Sequence, residues 1–269
     1  MCAGGDARRS TALGTEIRQG MQYAIPSLRA LYSKSYDNRM REWRRIGSVE
    51  KAENIVKLFA KCNIRTPVAS ALEVGCGTGD VLAQLSQRNM AMQYTGIEIS
   101  DERINGTAVC AKSQCIDLRS YDGQIIPFPD NSFEFVYATH VLEHVTNQRG
   151  FLHELRRVSS GLIYVEVPCE LTFRTSQALL QKTLNIGHIN SYTSESFALT
   201  LATAGLRIIN ICIFDRSFAA YRFTSSWPAA VLKLMIRRSL LRISHSLAPK
   251  LLTYHCGALC ERTEKLDIS

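Results

Sequence analysis

Within Leu72–Asp80 this 269-residue chain gathers Glu73, Gly75, Cys76, Gly77, Gly79 and Asp80, a set fit for holding a ligand. A strand that ends in glycines exposes backbone N–H groups at a helix N-terminus, and a ligand approaches closely where no Cβ intervenes. The spacing Gly75-x-Gly77-x-Gly79 differs from the G-x-G-x-x-G turn that cradles a pyrophosphate. Two carboxylates beside the turn, Glu73 and Asp80, disfavour a pyrophosphate and suit a ligand with a cationic end, such as an ammonium group. Glu98 follows about 20 residues later, where an acidic side chain can accept hydrogen bonds from both hydroxyls of a ribose. Asp117, near the end of the next strand, can accept from an adenine amino group, with Ile99 and Leu118 packing the ring faces. Together these choices favour S-adenosylmethionine over a nicotinamide dinucleotide.

Three histidines are candidates for moving a proton. His140 directly follows an apolar strand, and His144 lies four residues on, within one helical turn of it. His188, in Gly187-His188-Ile189-Asn190, sits in a loop before a helix with Tyr192 as neighbour, above the expected acceptor pocket. Tyr36 and Trp43 either pack helices onto the main domain or line the binding site. None of the nine cysteines forms C-x-x-C, no His–Cys set has zinc-finger spacing, and no metal is expected.

An α/β alternation positions these residues. Apolar runs place strands at 71–75, 94–99, 114–118, 133–138, 162–167 and 206–214. Between them, helices carry apolar residues at 3.6-residue spacing, among them Phe151, Leu152, Leu155 and Val158. This predicts a doubly wound, mostly parallel sheet. Residues 1–20 read as a flexible arm and 21–66 as an N-terminal helical cover, with Ser48 as a helix start. Residues 67–269 form the main domain. It carries a helical insertion near 216–252, where Leu232, Met235, Ile236, Leu240 and Ile243 share one face and Lys233, Arg237, Arg238 and Arg242 the other. That insertion reads as a surface helix, a lid on the acceptor pocket or a membrane-surface helix. Residues 252–260 offer a closing strand.

Taken together, LEVGCGTGD, GIEIS, CIDL, IPFPDNSFEFVYATHVLEHV and GHINSYTSESFALTLATAGL resemble the class I S-adenosylmethionine-dependent methyltransferases. The similarity spans about residues 45–215 and looks like the small-molecule branch that includes ubiquinone and menaquinone biosynthesis enzymes. The resemblance implies a Rossmann-like, doubly wound seven-stranded sheet in the order 3-2-1-4-5-7-6, last strand antiparallel, with helical N- and C-terminal additions. It assigns Glu73, Gly75, Gly77 and Gly79 to the methionine part, with Cys76 in the turn, Glu98 to the ribose and Asp117 to the adenine. Ala138 and Thr139 pass near the sulfonium. It also implies a small-molecule acceptor, methylated at a hydroxyl oxygen, with nitrogen and carbon left open. S-adenosylhomocysteine is the product. Glu134 replaces the usual Asp of the family's F-D pair. Aminopropyl transfer and a non-catalytic cofactor-fold module are the competing readings. The first wants acids where Thr139-His140 stand, and the second has no need of intact glycines with Glu98 and Asp117.

The formal charge of +8 is confined to the flanks. Residues 1–45 hold nine Lys/Arg against four Asp/Glu, and residues 222–260 hold six Lys/Arg with no acid. No basic–aromatic signature accompanies them, so a nucleic-acid partner is not expected. The odd cysteine count and the lack of a leader pattern predict a cytoplasmic protein, with peripheral membrane contact through the basic helix near 229–245 as an option. Oligomeric state is not legible.

Overall fold

The structure, a computed structural model, describes residues 38–100, 110–111 and 114–263. Among these residues, eight strands form one sheet: β1 Val68–Val74, β2 Ala91–Glu98, β3 Cys110–Ala111, β4 Gln114–Ser120, β5 Phe133–Thr139, β6 Ser159–Cys169, β7 Leu206–Phe214 and β8 Tyr254–Arg262. Their order is β3-β4-β2-β1-β5-β6-β8-β7. Without the two-residue ribbon β3, which turns back antiparallel on β4, this is the expected 3-2-1-4-5-7-6 arrangement. The closing strand β8 runs antiparallel to both β6 and β7, also as expected.

Among the described residues, eight helices accompany the sheet: α1 Asn38–Lys61, α2 Asp80–Gln87, α3 Gln148–Val158, α4 Gln177–Leu184, α5 Ser194–Thr203, α6 Phe218–Thr224, α7 Trp227–Ile243 and α8 Ala248–Leu251. Two apolar layers cover its faces. One joins Phe151, Leu152 and Leu155 of α3 and Phe197 and Leu201 of α5 to β5 and β6. The other joins Ile55, Leu58 and Phe59 of α1 and Leu82 and Leu85 of α2 to β1, β2 and Phe135. Each such fully buried side chain is worth roughly 1.5–3 kcal/mol. Local capping agrees with the layers: the Asn147 side chain accepts from Gly150 N at 3.0 Å, and Thr193 with Ser196 forms a capping box.

Two boundaries differ from the sequence reading. Helix α1 belongs to the sheet's own packing layer, so the break at 66/67 separates no cover from a domain. Ser48 is no helix start; it lies inside α1, and its hydroxyl donates to the Arg45 carbonyl at 2.9 Å. Residues 1–20 and Tyr36 fall outside the described residues. Glu134 replaces an Asp without disruption, accepting from Ala69 N at 2.6 Å across neighbouring strands.

The insertion is rotated relative to expectation. In α7 only Ala230 is buried, while Leu232, Met235, Ile236 and Ile243 are exposed. Arg237, expected on the solvated face, is the inward anchor. It pairs with Asp215 at 2.7 Å and lies 4.1 Å from the Tyr254 ring centroid. A guanidinium satisfied by a carboxylate and an aromatic face outcompetes leucines that would meet no groove.

Candidate active site

The carboxyl end of β1 runs into a turn in which Gly75, Gly77 and Gly79 have φ of 77°, 56° and 74°, a left-handed region that favours glycine. Gly75 N and Cys76 N donate to Ile97 O at 2.8 and 3.0 Å, tying the turn to β2. Val141 packs against Gly75, where a Cβ would fall 2.5 Å from its methyl carbon. At Gly77, by contrast, a Cβ would meet nothing within 4 Å, so this side of the turn is open. Gly79 then starts α2, and the Thr78 hydroxyl donates to Asp80 at 2.7 Å.

Glu98, 4% exposed at the end of β2, turns its carboxylate onto this corner. It accepts from Gly77 N at 2.8 Å and from Ile99 N at 3.0 Å. The amide that would greet a phosphate is thus already held by a carboxylate. Glu73 is buried beneath, taking a hydrogen bond from Tyr137 Oη at 3.3 Å. Burial pushes its pKa up to about 8, against the opposing pull of the Lys51 charge and the Tyr137 bond. With Gly77 N already bonded to the Glu98 carboxylate, the corner suits a ligand bearing hydroxyls and takes a pyrophosphate poorly.

The remaining predicted cofactor contacts divide. Ile99 is half exposed beside Glu98 and can face a ligand. Asp117 is misplaced: it pairs with Thr95, three positions short of Glu98, and its carboxylate forms an ion pair with Arg119 at 2.7 Å. Strand β4 runs two residues beyond the expected end, so the residue reaching the corner is Asp122. Tyr121 N donates to Glu98 O at 3.1 Å, and Asp122 follows at the start of a turn packed near Ile99. A Cβ on Gly96 would meet Leu118 at 2.7 Å and the Cys76 sulfur at 2.8 Å. Both side chains therefore pack against Gly96 beneath the corner. Ala138 and Thr139 are buried at the end of β5, and the Thr139 carbonyl accepts from Lys51 Nζ at 3.4 Å.

Beyond β5 the structure gathers two histidine–carboxylate clusters. In the first, Glu166 of β6 is fully buried and accepts from Tyr164 Oη at 2.5 Å, Asn54 Nδ2 at 3.1 Å and His140 Nε2 at 3.2 Å. His255 Nδ1 is 3.5 Å away, and its Nε2 is buried without a partner. Burial works to raise the Glu166 pKa, but the bonds from His140 and His255 outweigh it and hold the carboxylate ionised. His140 has the left-handed φ of 58°, and its Nδ1 lies 3.5 Å from Glu143. Burial, then the Lys51 and His255 charges, hold its pKa well below the usual histidine value. Both ring nitrogens of His140 face carboxylates, so it is a bracket at the end of β5, contrary to its expected role as a base.

In the second cluster His188 Nδ1 lies 3.0 Å from both oxygens of Glu170, which directly follows β6. With Nδ1–H donating to Glu170, Nε2 keeps the lone pair. His144 Nδ1 is 2.8 Å from the Gly187 carbonyl, and its ring meets that of His188 edge-on at 4.8 Å. Glu143 is fully buried with neither carboxylate oxygen hydrogen-bonded. Burial raises its pKa to about 7, although His188 pulls the other way. The His188 pKa is raised: burial works to lower it, but the Glu170 bond and the Glu170 and Glu143 charges prevail. Since Val141 abuts Gly75, the turn Leu142–His144 and His188 beside it stand next to the glycine corner.

Each cluster also brings three ligand-type atoms, from His140, Glu166 and His255 or from Glu143, His144 and His188, within 4.8 Å of one another. Spacing in the sequence hid both sets, because their members come from different strands and loops. Two candidate acceptor contacts are instead structural. Tyr192 is 3% exposed and packs edge-on against Phe197. Trp43 packs on Phe223 of α6 at 5.4 Å, under Arg216. Lys51, Asp122, Glu166 and Glu170 went unrecognised. A lone carboxylate in the apolar run Leu162–Val167 was the available signal for Glu166.

Fold and corner define a Rossmann-like protein with a carboxylate-lined glycine turn at the carboxyl end of its sheet. A family model for the methyltransferase domain matches residues 40–211, and the chain belongs to that family, among the class I S-adenosylmethionine-dependent methyltransferases. It is similar to a Mycolicibacterium smegmatis protein named "Probable S-adenosylmethionine-dependent methyltransferase", 28% identical over 142 residues, covering 51% of each chain. It is also similar to the O-methyltransferase resE of Aspergillus sclerotiorum, 33% identical over 93 residues, covering 32% of this chain and 34% of the relative. The chain thus spans about half the length, or less, of these curated relatives. Among solved structures, the geranyl diphosphate C-methyltransferase of Streptomyces coelicolor shares the fold with a TM-score of 0.58 at 14% identity, covering 90% of this chain and 91% of that one.

Proposed function

We propose that this chain moves a methyl group from S-adenosylmethionine to a hydroxyl oxygen of a small molecule, with His188 as general base. The carrying observation is the His188–Glu170 pair beside the glycine corner. A neutral hydroxyl must lose its proton as it attacks, and an imidazole oriented by a carboxylate is suited to take it. In this reading Glu98 holds the ribose hydroxyls, Asp122 the adenine edge, and Glu73 with the glycine turn the amino-acid end. The bound cofactor supplies a methyl already activated by a sulfonium. The chain's residues align the acceptor, exclude water and receive the proton at His188 Nε2. Alignment alone can contribute roughly 7–11 kcal/mol.

A relative named as an O-methyltransferase supports oxygen, while a structural neighbour named as a C-methyltransferase keeps carbon as the competing reading. Incubation with methyl-tritiated S-adenosylmethionine and paired phenols, amines and activated carbon acids tests the choice. Label transfer to phenols, lost in His188→Gln, is expected. Transfer confined to amines or carbon acids overturns the oxygen assignment. With the cytoplasm as the proposed location, no helix among the described residues is long and apolar enough to cross a membrane.

A further inference from the structure

The outward side of α7 carries an apolar stripe, interrupted only by the small Ser239. Leu232, Met235 and Ile243 are 59%, 63% and 77% exposed, with Ile236 beside them and Trp227, 60% exposed, at the helix start. At 100° per residue Leu232, Met235, Ile236 and Ile243 span the face opposite Ala230 and Arg237, which hold the helix down, while Trp227 stands to one side at the helix start. Lys233 flanks the stripe on one side, and Arg238 and Arg242 flank it on the other, all exposed. From Arg216 to Cys260 the chain has no acidic residue. Exposed apolar patches of this kind mark interaction sites.

We infer that α7 lies flat on an anionic lipid surface, its stripe entering the headgroup boundary and its basic flanks meeting the lipid charge. The geometry is that of an interfacial helix: an apolar face of large side chains with cationic shoulders. A second copy of the chain is a poor occupant, because a self-paired stripe would oppose Lys233, Arg238 and Arg242 to their own kind with no acid between them. The helix is also fixed rather than loose. Arg237 bonds Asp215 and the Thr253 carbonyl, and Tyr254 Oη donates to the Arg237 carbonyl at 2.9 Å. The stripe is therefore presented as a preformed surface, with no ordering required on contact.

Flotation of the full chain with vesicles of 70% phosphatidylcholine and 30% phosphatidylserine tests this, and needs neither cofactor nor acceptor. The wild type is expected to float with these vesicles and not with pure phosphatidylcholine. The variant Lys233→Ser/Arg238→Ser/Arg242→Ser should lose affinity by roughly 100-fold, each cation near the surface being worth about fivefold. The variant Leu232→Gln/Met235→Gln should lose it at unchanged charge. Both should melt at the wild-type temperature, since neither touches the Arg237 anchor. No flotation of the wild type, equal flotation with neutral vesicles, or retention in both variants overturns the inference. So does a dimer in sedimentation that the Leu232/Met235 variant dissolves.

Discussion

The two histidine–carboxylate clusters stand at the carboxyl ends of neighbouring strands and use the same residue types with opposite electrostatics. Around Glu166 every donor converges on one buried carboxylate, which stays ionised while His140 stays neutral. Around His188 the imidazole gains proton affinity from Glu170, while Glu143, without a donor, is pushed toward its neutral form. Hydrogen-bond supply makes the difference. A buried carboxylate with Tyr, Asn and His donors can keep its charge, and one without them cannot. The first cluster therefore braces the ends of β5, β6 and β8 with α1. The second keeps a nitrogen lone pair and a titratable acid beside the glycine corner, where chemistry can use them.

Breaking the closed cluster should have the largest effect on stability. Glu166→Ala strips a buried charge from its donors and is expected to cost about 3–5 kcal/mol in urea unfolding. A loss under 1 kcal/mol would show that the network is not a brace. Breaking the open cluster should spare stability and strike turnover. His188→Gln is expected to lower kcat by about 100-fold or more, roughly 3 kcal/mol, with the melting temperature little changed. Because the His188 pKa is raised and the base must be unprotonated, the acid limb of kcat/KM should fall above pH 6.5 and move down in Glu170→Gln. His140→Gln sharpens the contrast if it reverses the pattern, destabilising the fold while leaving the pH profile in place.

A smaller effect concerns Glu143. Its folded pKa of about 7 exceeds the ordinary 4.5, so the native state binds its proton more tightly than the unfolded chain. Stability from this group is full below pH 4.5 and falls as pH rises toward 7. Glu143→Gln removes that dependence, and should gain about 2–3 kcal/mol over wild type between pH 4.5 and pH 8. Equal stability differences at both pH values would show that Glu143 is ionised in the fold.

Much of the sheet was legible because its strands are apolar runs and its turns are glycines. Leu206–Phe214 matches its expected strand end for end, and the glycine corner lies where Leu72–Asp80 places it. The failures have physical causes. Asp117 falls near the expected strand end because the apolar pattern stops at Leu118, whereas the backbone pairing continues through Ser120. The face of α7 was inverted because hydropathy cannot foresee that Asp215, Tyr221 and Tyr254 would hold an arginine inward. Lys51 reads as one more charge on a surface helix until the fold carries it onto the Thr139 carbonyl. Glu166 and Glu170 lie far in sequence from the histidines they bind, beyond what local spacing can show.

The central claim is that Glu98 and the Gly75–Gly79 turn form a corner for S-adenosylmethionine. Calorimetric titration with S-adenosylhomocysteine tests it most directly, comparing the wild type with Glu98→Ala. The account predicts binding by the wild type and a loss exceeding about tenfold in the variant, since ribose hydroxyls are left unpaired. Equal affinity in the two proteins would contradict it.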